Sequence, residues 1–178
     1  MKIETTRTYL REFQLDDAAA VLKFNDNRDV TRYTGDAGMI TSLNDARRVI
    51  TDIWHREYKL YGYARWAVVE KSNLQVIGFC GLKYIPKLGM PDIGYRFLPE
   101  YWGKGLATET AMASVEYCRA QLNVQRYFAD VMEENTASVK VIRKLGLRFH
   151  QYIKEDGFTF MRFKQGSRTL LNTNQFYK

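Results

Sequence analysis

Two cysteines and two histidines are all the thiols and imidazoles that the 178-residue chain offers to a zinc site or a disulfide. Structural zinc takes several such ligands at regular spacing, so a metal centre has little to draw on here and none is expected. Cys80 falls in an expected strand and Cys118 on an expected helix, and both read as buried free thiols. No apolar run approaches the roughly 18 residues of a spanning helix, and the N-terminal Met-Lys-Ile-Glu-Thr-Thr-Arg has no signal-peptide core. The expectation is a cytoplasmic protein without a membrane partner. Internal repeats are absent, and the length suits one domain with a core of its own. Runs of five basic residues are absent too, so the net charge of +7 reads first as a solvated surface, with no DNA partner expected.

What the chain does have is a strand, a glycine turn and a helix in succession. Over residues 92–98, Ile93, Tyr95 and Phe97 alternate with Asp92, Gly94 and Arg96, which predicts a strand, and Pro99 stops it because proline has no N–H for a ladder. Gly103-Lys104-Gly105 follows, then a helical pattern to about Leu122. Such a turn leaves the N–H groups of Trp102, Gly103, Lys104, Gly105, Leu106, Ala107 and Thr108 converging at the positive end of a helix dipole, as a phosphate cradle requires. It is not a Walker loop, since Gly105 follows Lys104, nor a dinucleotide fingerprint, since Thr108 stands where a third glycine belongs.

Before this stretch, residues 8–13 alternate, with Tyr9, Arg11 and Phe13 on one face and Leu10 on the other, and predict a first strand. Asp16 is the expected N-cap of a helix carrying Ala19, Leu22 and Phe24. A loop over 25–38 contains Arg32-Tyr33-Thr34-Gly35. A second helix, from about Ser42, is expected to align Val49, Ile53 and Leu60 with Trp54 and Tyr58 beside them. Residues 66–70 and 76–84 predict an antiparallel hairpin across Lys71-Ser72-Asn73. Gly78 and Gly81 lie inside its second strand, where glycine weakens pairing unless another backbone or a ligand must come close.

After the cradle, Ala107, Ala111, Val115, Cys118 and Leu122 share the buried face of the helix. A strand over 127–132 leads to a short helix that Asn135 begins and Gly146 ends. Strands over 147–154 and 158–163 then meet at Glu155-Asp156-Gly157, a hairpin signal. The tail over 167–178 is polar.

Two of these segments resemble motifs of the GNAT superfamily of N-acetyltransferases. The acyl-CoA pyrophosphate loop of that family reads Gln/Arg-x-x-Gly-x-Gly/Ala; Gly105 and Ala107 match, while Trp102 occupies the Gln/Arg position. Tyr-Trp-Gly-Lys-Gly-Leu-Ala-Thr-Glu is similar to the branch that acetylates ribosomal-protein N-termini. Asn135-Thr136-Ala137-Ser138 with Lys144-Leu145-Gly146 resembles the second motif, Leu147 replacing the usual Phe. The resemblance implies an α/β (α+β mixed sheet) fold in one domain: a central, mostly antiparallel sheet of about seven strands, splayed at the cofactor site, with about four helices. It implies acetyl-CoA as cosubstrate, an amine acceptor, and a strand that parts from its neighbour at a bulge so that the backbone of Phe97 and Leu98 holds the pantetheine and thioester. Asn135 would bind the pantetheine amides, and it equally suits an N-cap satisfied by the N–H of Ser138. Lys104 either adds charge at the rim or is solvated.

Relatives often carry a tyrosine acid where Ile142 stands, so Ser138 is the replacement expected near the leaving thiolate. Asp92 and Glu155 are the candidate bases, each equally readable as a surface acid, and Arg32, Tyr33, Trp54 and Tyr58 would form the acceptor wall or a plain core. Catalysis on a protein N-terminus or a small amine is the first expectation. A CoA-binding sensor, which Ile142 keeps in play, and a basic RNA- or ribosome-binding module are the others. The tail is the candidate contact for a homodimer.

Overall fold

A computed structural model of the chain describes residues 1–166, so the tail and any contact it makes lie outside the described residues. Eight strands, β1 (Lys2–Glu4), β2 (Thr8–Arg11), β3 (Arg65–Glu70), β4 (Val76–Ile85), β5 (Met90–Phe97), β6 (Phe128–Met132), β7 (Leu147–Glu155) and β8 (Phe158–Gln165), form one sheet in the order β1-β2-β3-β4-β5-β6-β8-β7. All neighbours are antiparallel except β5 and β6. The sheet thus has the expected mixed, mostly antiparallel character with one strand more than expected: β1, three residues long, is too short to show an alternation.

The helices are α1 (Ala18–Asp26), α2 (Arg28–Thr31), α3 (Leu43–Arg48), α4 (Arg56–Tyr61), α5 (Leu106–Leu122) and α6 (Thr136–Lys144). Asp16 does not cap α1. A 3-10 turn, Leu15–Asp17, precedes the helix, and Asp17 is the acid put to work, accepting the Gln14 N–H at 2.7 Å and holding Arg11 at 2.6 and 2.9 Å. α2 interrupts the expected 25–38 loop, capped by the Asn27 side chain. Ser42 does cap α3, accepting from the Asp45 N–H at 3.1 Å.

The buried stripe of this second helix is Ala46, Ile50, Trp54 and Tyr58, while Ile53 and Leu60 are 39% and 59% exposed. A repeat of four drifts around a helix of 3.6 residues per turn, and a π-helical segment, Val49–His55, joins α3 to α4 and corrects the drift. The expected Val49-Ile53-Leu60 stripe followed the α period, so Val49 and Ile53 fall one position before the buried Ile50 and Trp54, and Leu60 falls two beyond Tyr58.

Gly78 and Gly81 answer to close backbone approach. A Cβ on Gly78 would lie 2.0 Å from the Arg96 carbonyl oxygen, and one on Gly81 would lie 2.3 Å from that of Ala64. β4 is therefore clamped between β3 and β5. On the sheet face beneath α5, Trp66 meets Tyr117 edge-on and Cys80 lies 3.7 Å from the Ser114 hydroxyl; Cys80 and Cys118 are both free and buried. The opposite face carries Phe79, which packs against Phe24 of α1 and against Trp54, itself stacked on Phe13 at 4.2 Å.

β5 pairs with β4 at every position from Met90 to Phe97, without a register shift, but meets β6 at one bridge, Asp92↔Phe128. Beyond that bridge the sheet is split. The expected splay is present, and the expected bulge is not: continuous pairing to β4 carries β5 straight while β6 diverges.

Candidate active site

Strand β5 ends at Phe97, turns through Pro99–Tyr101 and reaches α5 by way of Gly103 and Gly105, both left-handed at φ of 71° and 78°. Only glycine takes that conformation at little cost, and open space surrounds the missing Cβ of Gly103. The first helical bond runs from the Glu109 N–H to the Gly105 carbonyl at 3.0 Å; the N–H groups of Gly103, Lys104, Gly105, Leu106, Ala107 and Thr108 have no main-chain acceptor among the described residues. Two left-handed turns running into a helix N-terminus make an anion-binding concavity. Trp102 stands apart from it, because its main-chain N–H donates to the Pro99 carbonyl at 3.0 Å and its indole N–H to the Phe97 carbonyl at 2.8 Å. The Lys104 ammonium lies 5.5 Å from the Tyr101 ring centre.

A residue absent from the sequence reading holds the turn in place. Arg7, between β1 and β2, donates to the Lys104 carbonyl at 2.6 Å and to the Glu109 carboxylate at 2.7 and 2.9 Å, while its own N–H adds a bond at 3.0 Å. Nothing in the spacing of residues 7, 104 and 109 foretells it; only the sheet order brings them together.

At the split, main-chain polarity follows the strand. Leu98 donates to the Ile77 carbonyl of β4 at 3.1 Å and its carbonyl accepts from the Tyr101 N–H of the following turn at 2.9 Å, so both its main-chain groups are engaged. Polar groups alternate along a strand, so those of Phe97 and Tyr95 face the split. Of the expected pair, Leu98 has both main-chain groups bonded, while Phe97 has its carbonyl on the Trp102 indole and its N–H at the split. Across the gap, Asn135 caps α6 by accepting the Ser138 N–H at 3.1 Å, and the Tyr95 hydroxyl donates to the Ser138 carbonyl at 3.2 Å. Burial pushes the Tyr95 phenol well up, so it keeps its proton. Ile142 packs beside them, 1% exposed.

One cavity of about 470 Å³ spans the split. Tyr95, Asn135, Ser138 and Ile142 line it on the α6 side; Arg65, Lys83, Asp92, Arg96 and Asp130 line it on the other, with Tyr33 and Trp54 in its wall. Its carboxylates are each held by an arginine. Arg65 holds Asp92 at 2.5 Å and also donates to the carbonyls of Asp92, at 2.9 Å, and Gly81. Gly94 makes room for it, since a Cβ there would lie 2.5 Å from the guanidinium. Arg96 grips Asp36 at 2.8 and 3.0 Å and donates to Asn25. Arg162 holds Asp130 at 2.6 and 2.8 Å. Burial pushes the Asp92 carboxyl up against the pull of Arg65, and burial draws the Arg96 guanidinium down despite Asp36.

Among the other expected site residues, Tyr58 is a strut: it is buried, donating to the Arg65 carbonyl at 2.6 Å and accepting from the Phe13 N–H at 3.3 Å. Arg32 is exposed over the Tyr33 ring, and Glu155 is exposed at the tip of the β7–β8 hairpin; neither lines the cavity.

A family model described as an acetyltransferase (GNAT) domain matches residues 7–148. Among curated relatives, an uncharacterized N-acetyltransferase p20 of Bacillus licheniformis is 33% identical over 146 residues, which is 81% of this chain and 80% of that protein. A spermidine N(1)-acetyltransferase of Escherichia coli is 30% identical over 78 residues, covering 44% of this chain and 42% of its own. Among solved structures, Mycobacterium smegmatis RimJ in complex with CoA-disulfide superposes with a TM-score of 0.81 at 17% identity, covering 96% of this chain and 90% of that one, a likeness of fold. With the family model and the p20 relative each spanning most of its length, the chain belongs to the GNAT family of N-acetyltransferases.

Proposed function

We propose that the protein transfers the acetyl group of acetyl-CoA to an α-amino group at a protein N-terminus. The observation that carries this reading is the cavity that crosses the sheet at the β5–β6 split, with neutral groups of α6 on one side and ion pairs on the other. The diphosphate of acetyl-CoA fits the six unpaired N–H groups of residues 103–108, Lys104 adding charge at the rim. Asn135 and the Phe97 main chain suit the pantetheine arm. When bound, the cosubstrate supplies a thioester.

The chain's own part is to orient and to manage protons. N–H groups of Tyr95 and Phe97 at the split are placed to stabilise the oxyanion that forms when an amine attacks the thioester carbonyl. The leaving thiolate needs a proton. Tyr95, which lies against the Ser138 main-chain carbonyl and keeps its own proton, can hydrogen-bond the thiolate in the absence of a tyrosine at Ile142, and the Ser138 hydroxyl would relay the proton from water. An α-amine has a pKa of about 7.7 to 8.0, so much of it is neutral near pH 8 without a strong base, whereas a lysine amine at about 10.4 is not. That suits this site, where the expected base Asp92 is engaged by Arg65 and Glu155 is remote. The name of the RimJ neighbour supports the N-terminal acceptor; that of the spermidine relative supports a second reading, a small polyamine.

Incubating the full chain with acetyl-CoA and a panel of N-terminal peptides, lysine peptides and polyamines, with free thiol as readout, tests the proposal. N-terminal peptides are expected to lead, with kcat/KM rising to about pH 8 and then levelling. Thiol release no faster than acetyl-CoA hydrolysis with every amine would remove it.

A further inference from the structure

The charges that line the cavity do more than fill it, because they are spent unequally. Each lining carboxylate is already held by an arginine: Asp36 by Arg96, Asp92 by Arg65, Asp130 by Arg162. Lys83 is the cation left over. It stands opposite Asp92 in the β4–β5 ladder, lines the cavity, and takes part in none of the ion pairs or hydrogen bonds among the described residues. Two carboxylates act on Lys83 through space without bonding it, Asp92 opposite and Glu57 of α4 from outside the lining. Arg96 also lines the cavity, but its terminal nitrogens are spent on Asp36 and Asn25 and its Nε–H is enclosed by protein, so among the described residues Lys83 alone is left to face a ligand.

Resting on the acetyl-transfer reading above, we propose that the acceptor carries a carboxylate near its amine, the carboxylate facing Lys83, and that polycationic amines are rejected. Every additional ammonium brought into this chamber would find its carboxylates taken and a lysine opposite, and like charges in a partly desolvated space repel strongly. The shared chemistry is an acidic α-amine, either a peptide N-terminus with Asp or Glu among its first residues or the free acidic amino acid.

The test compares Ser-Glu-, Ser-Gln- and Ser-Lys-initiated peptides, free glutamate and spermidine as acceptors for the full chain with acetyl-CoA. The Glu peptide is expected to exceed the Gln peptide by at least about tenfold in kcat/KM, one pairing in the usual range for a desolvated charge, and the Lys peptide to fall below both. Turnover of glutamate at the Glu-peptide rate assigns the free amino acid; its failure beside an active Glu peptide assigns the protein N-terminus. Lys83→Glu is expected to invert the Glu-over-Lys order, and Lys83→Met to erase it should the reversal not fold, with CoA affinity by calorimetry as the control for both. Equal rates on Glu and Gln peptides, or spermidine outrunning every acidic amine, would overturn the proposal. Should no amine be acetylated, the acetyl-transfer reading fails separately, and calorimetric binding of the peptides to the CoA-loaded protein still decides: Glu tighter than Gln by tenfold upholds the acidic chamber, equal binding ends it.

Discussion

The two ends of the site are made of different material. The cradle at residues 103–108 is built from main-chain N–H groups on one continuous stretch, shaped by two left-handed glycines and a helix N-terminus. The chamber across the split is built from side-chain ion pairs contributed by β3, β5, β6, β8 and the segment around Asp36, with Lys83 of β4 beside them. A main-chain site presents the same dipoles whatever the side chains are, so it suits a ligand that never varies. A side-chain site can be rewritten one residue at a time, so it suits the variable partner. Stability divides along the same line: strain threatens the cradle and loss of a counter-charge threatens the chamber.

The sharpest way to break this contrast is Arg65→Met, which leaves Asp92 buried without its cation and two carbonyls without a donor. Removing one partner of a fully buried pair costs about 3 to 5 kcal/mol; Asp92 keeps 20% of its side chain exposed, so chemical denaturation is expected to show a loss at the low end, about 3 kcal/mol. An unchanged midpoint would mean that the chamber is not held by its charges. Next comes Gly105→Val, which forces a β-branched residue to a φ of 78°. Strain of about 1 to 3 kcal/mol predicts CoA binding weakened roughly tenfold to a hundredfold by calorimetry, with acceptor preference retained.

A third test uses pH. Burial raises the Glu57 carboxyl above its ordinary 4.5, and one of its oxygens is buried without a partner. The folded state therefore holds that proton more tightly than the unfolded chain does, and stability falls as pH rises above 4.5 toward the raised value. Glu57→Gln is expected to be more stable than the parent at pH 7 by about 1 kcal/mol and equal to it at pH 3.5, read by thermal unfolding. CoA affinity of the variant should match the parent's at both pH values, since the cradle has no such group. The smallest effect is expected from Glu109→Gln, which loosens the Arg7 clamp. That pair is partly exposed, so a loss below about 1 kcal/mol, or a few-fold in CoA affinity, is the expected outcome.

The same division explains what could be read before the structure was known. Gly103, Gly105 and Asn135 announce themselves because a turn, a helix start and a cap are local events written in neighbouring residues. The π-helical turn was hidden, because Val49, Ile53 and Leu60 satisfy an α period that the helix does not keep. The Arg7 clamp, the Arg65–Asp92 pair beneath Gly94 and the Tyr95–Ser138 bond were hidden for another reason. Each joins residues at least 27 positions apart, and pairing them requires the strand order, which no single segment encodes. Tyr95 did carry a signal, since it lies on the cradle strand between Ile93 and Phe97, but an alternating tyrosine reads as core. Glu155 misled in the opposite sense: a carboxylate in a late hairpin looked near the chemistry, and the hairpin carries it to an exposed tip.

One bridge, Asp92↔Phe128, is the rivet between two antiparallel half-sheets. With a single rivet, the width of the opening depends on what packs around it, and Ile142, enclosed on α6, forms part of the cavity wall there. Enlarging or trimming that one apolar side chain would tune the bore through which the two substrates meet while leaving every polar group in the molecule as it was.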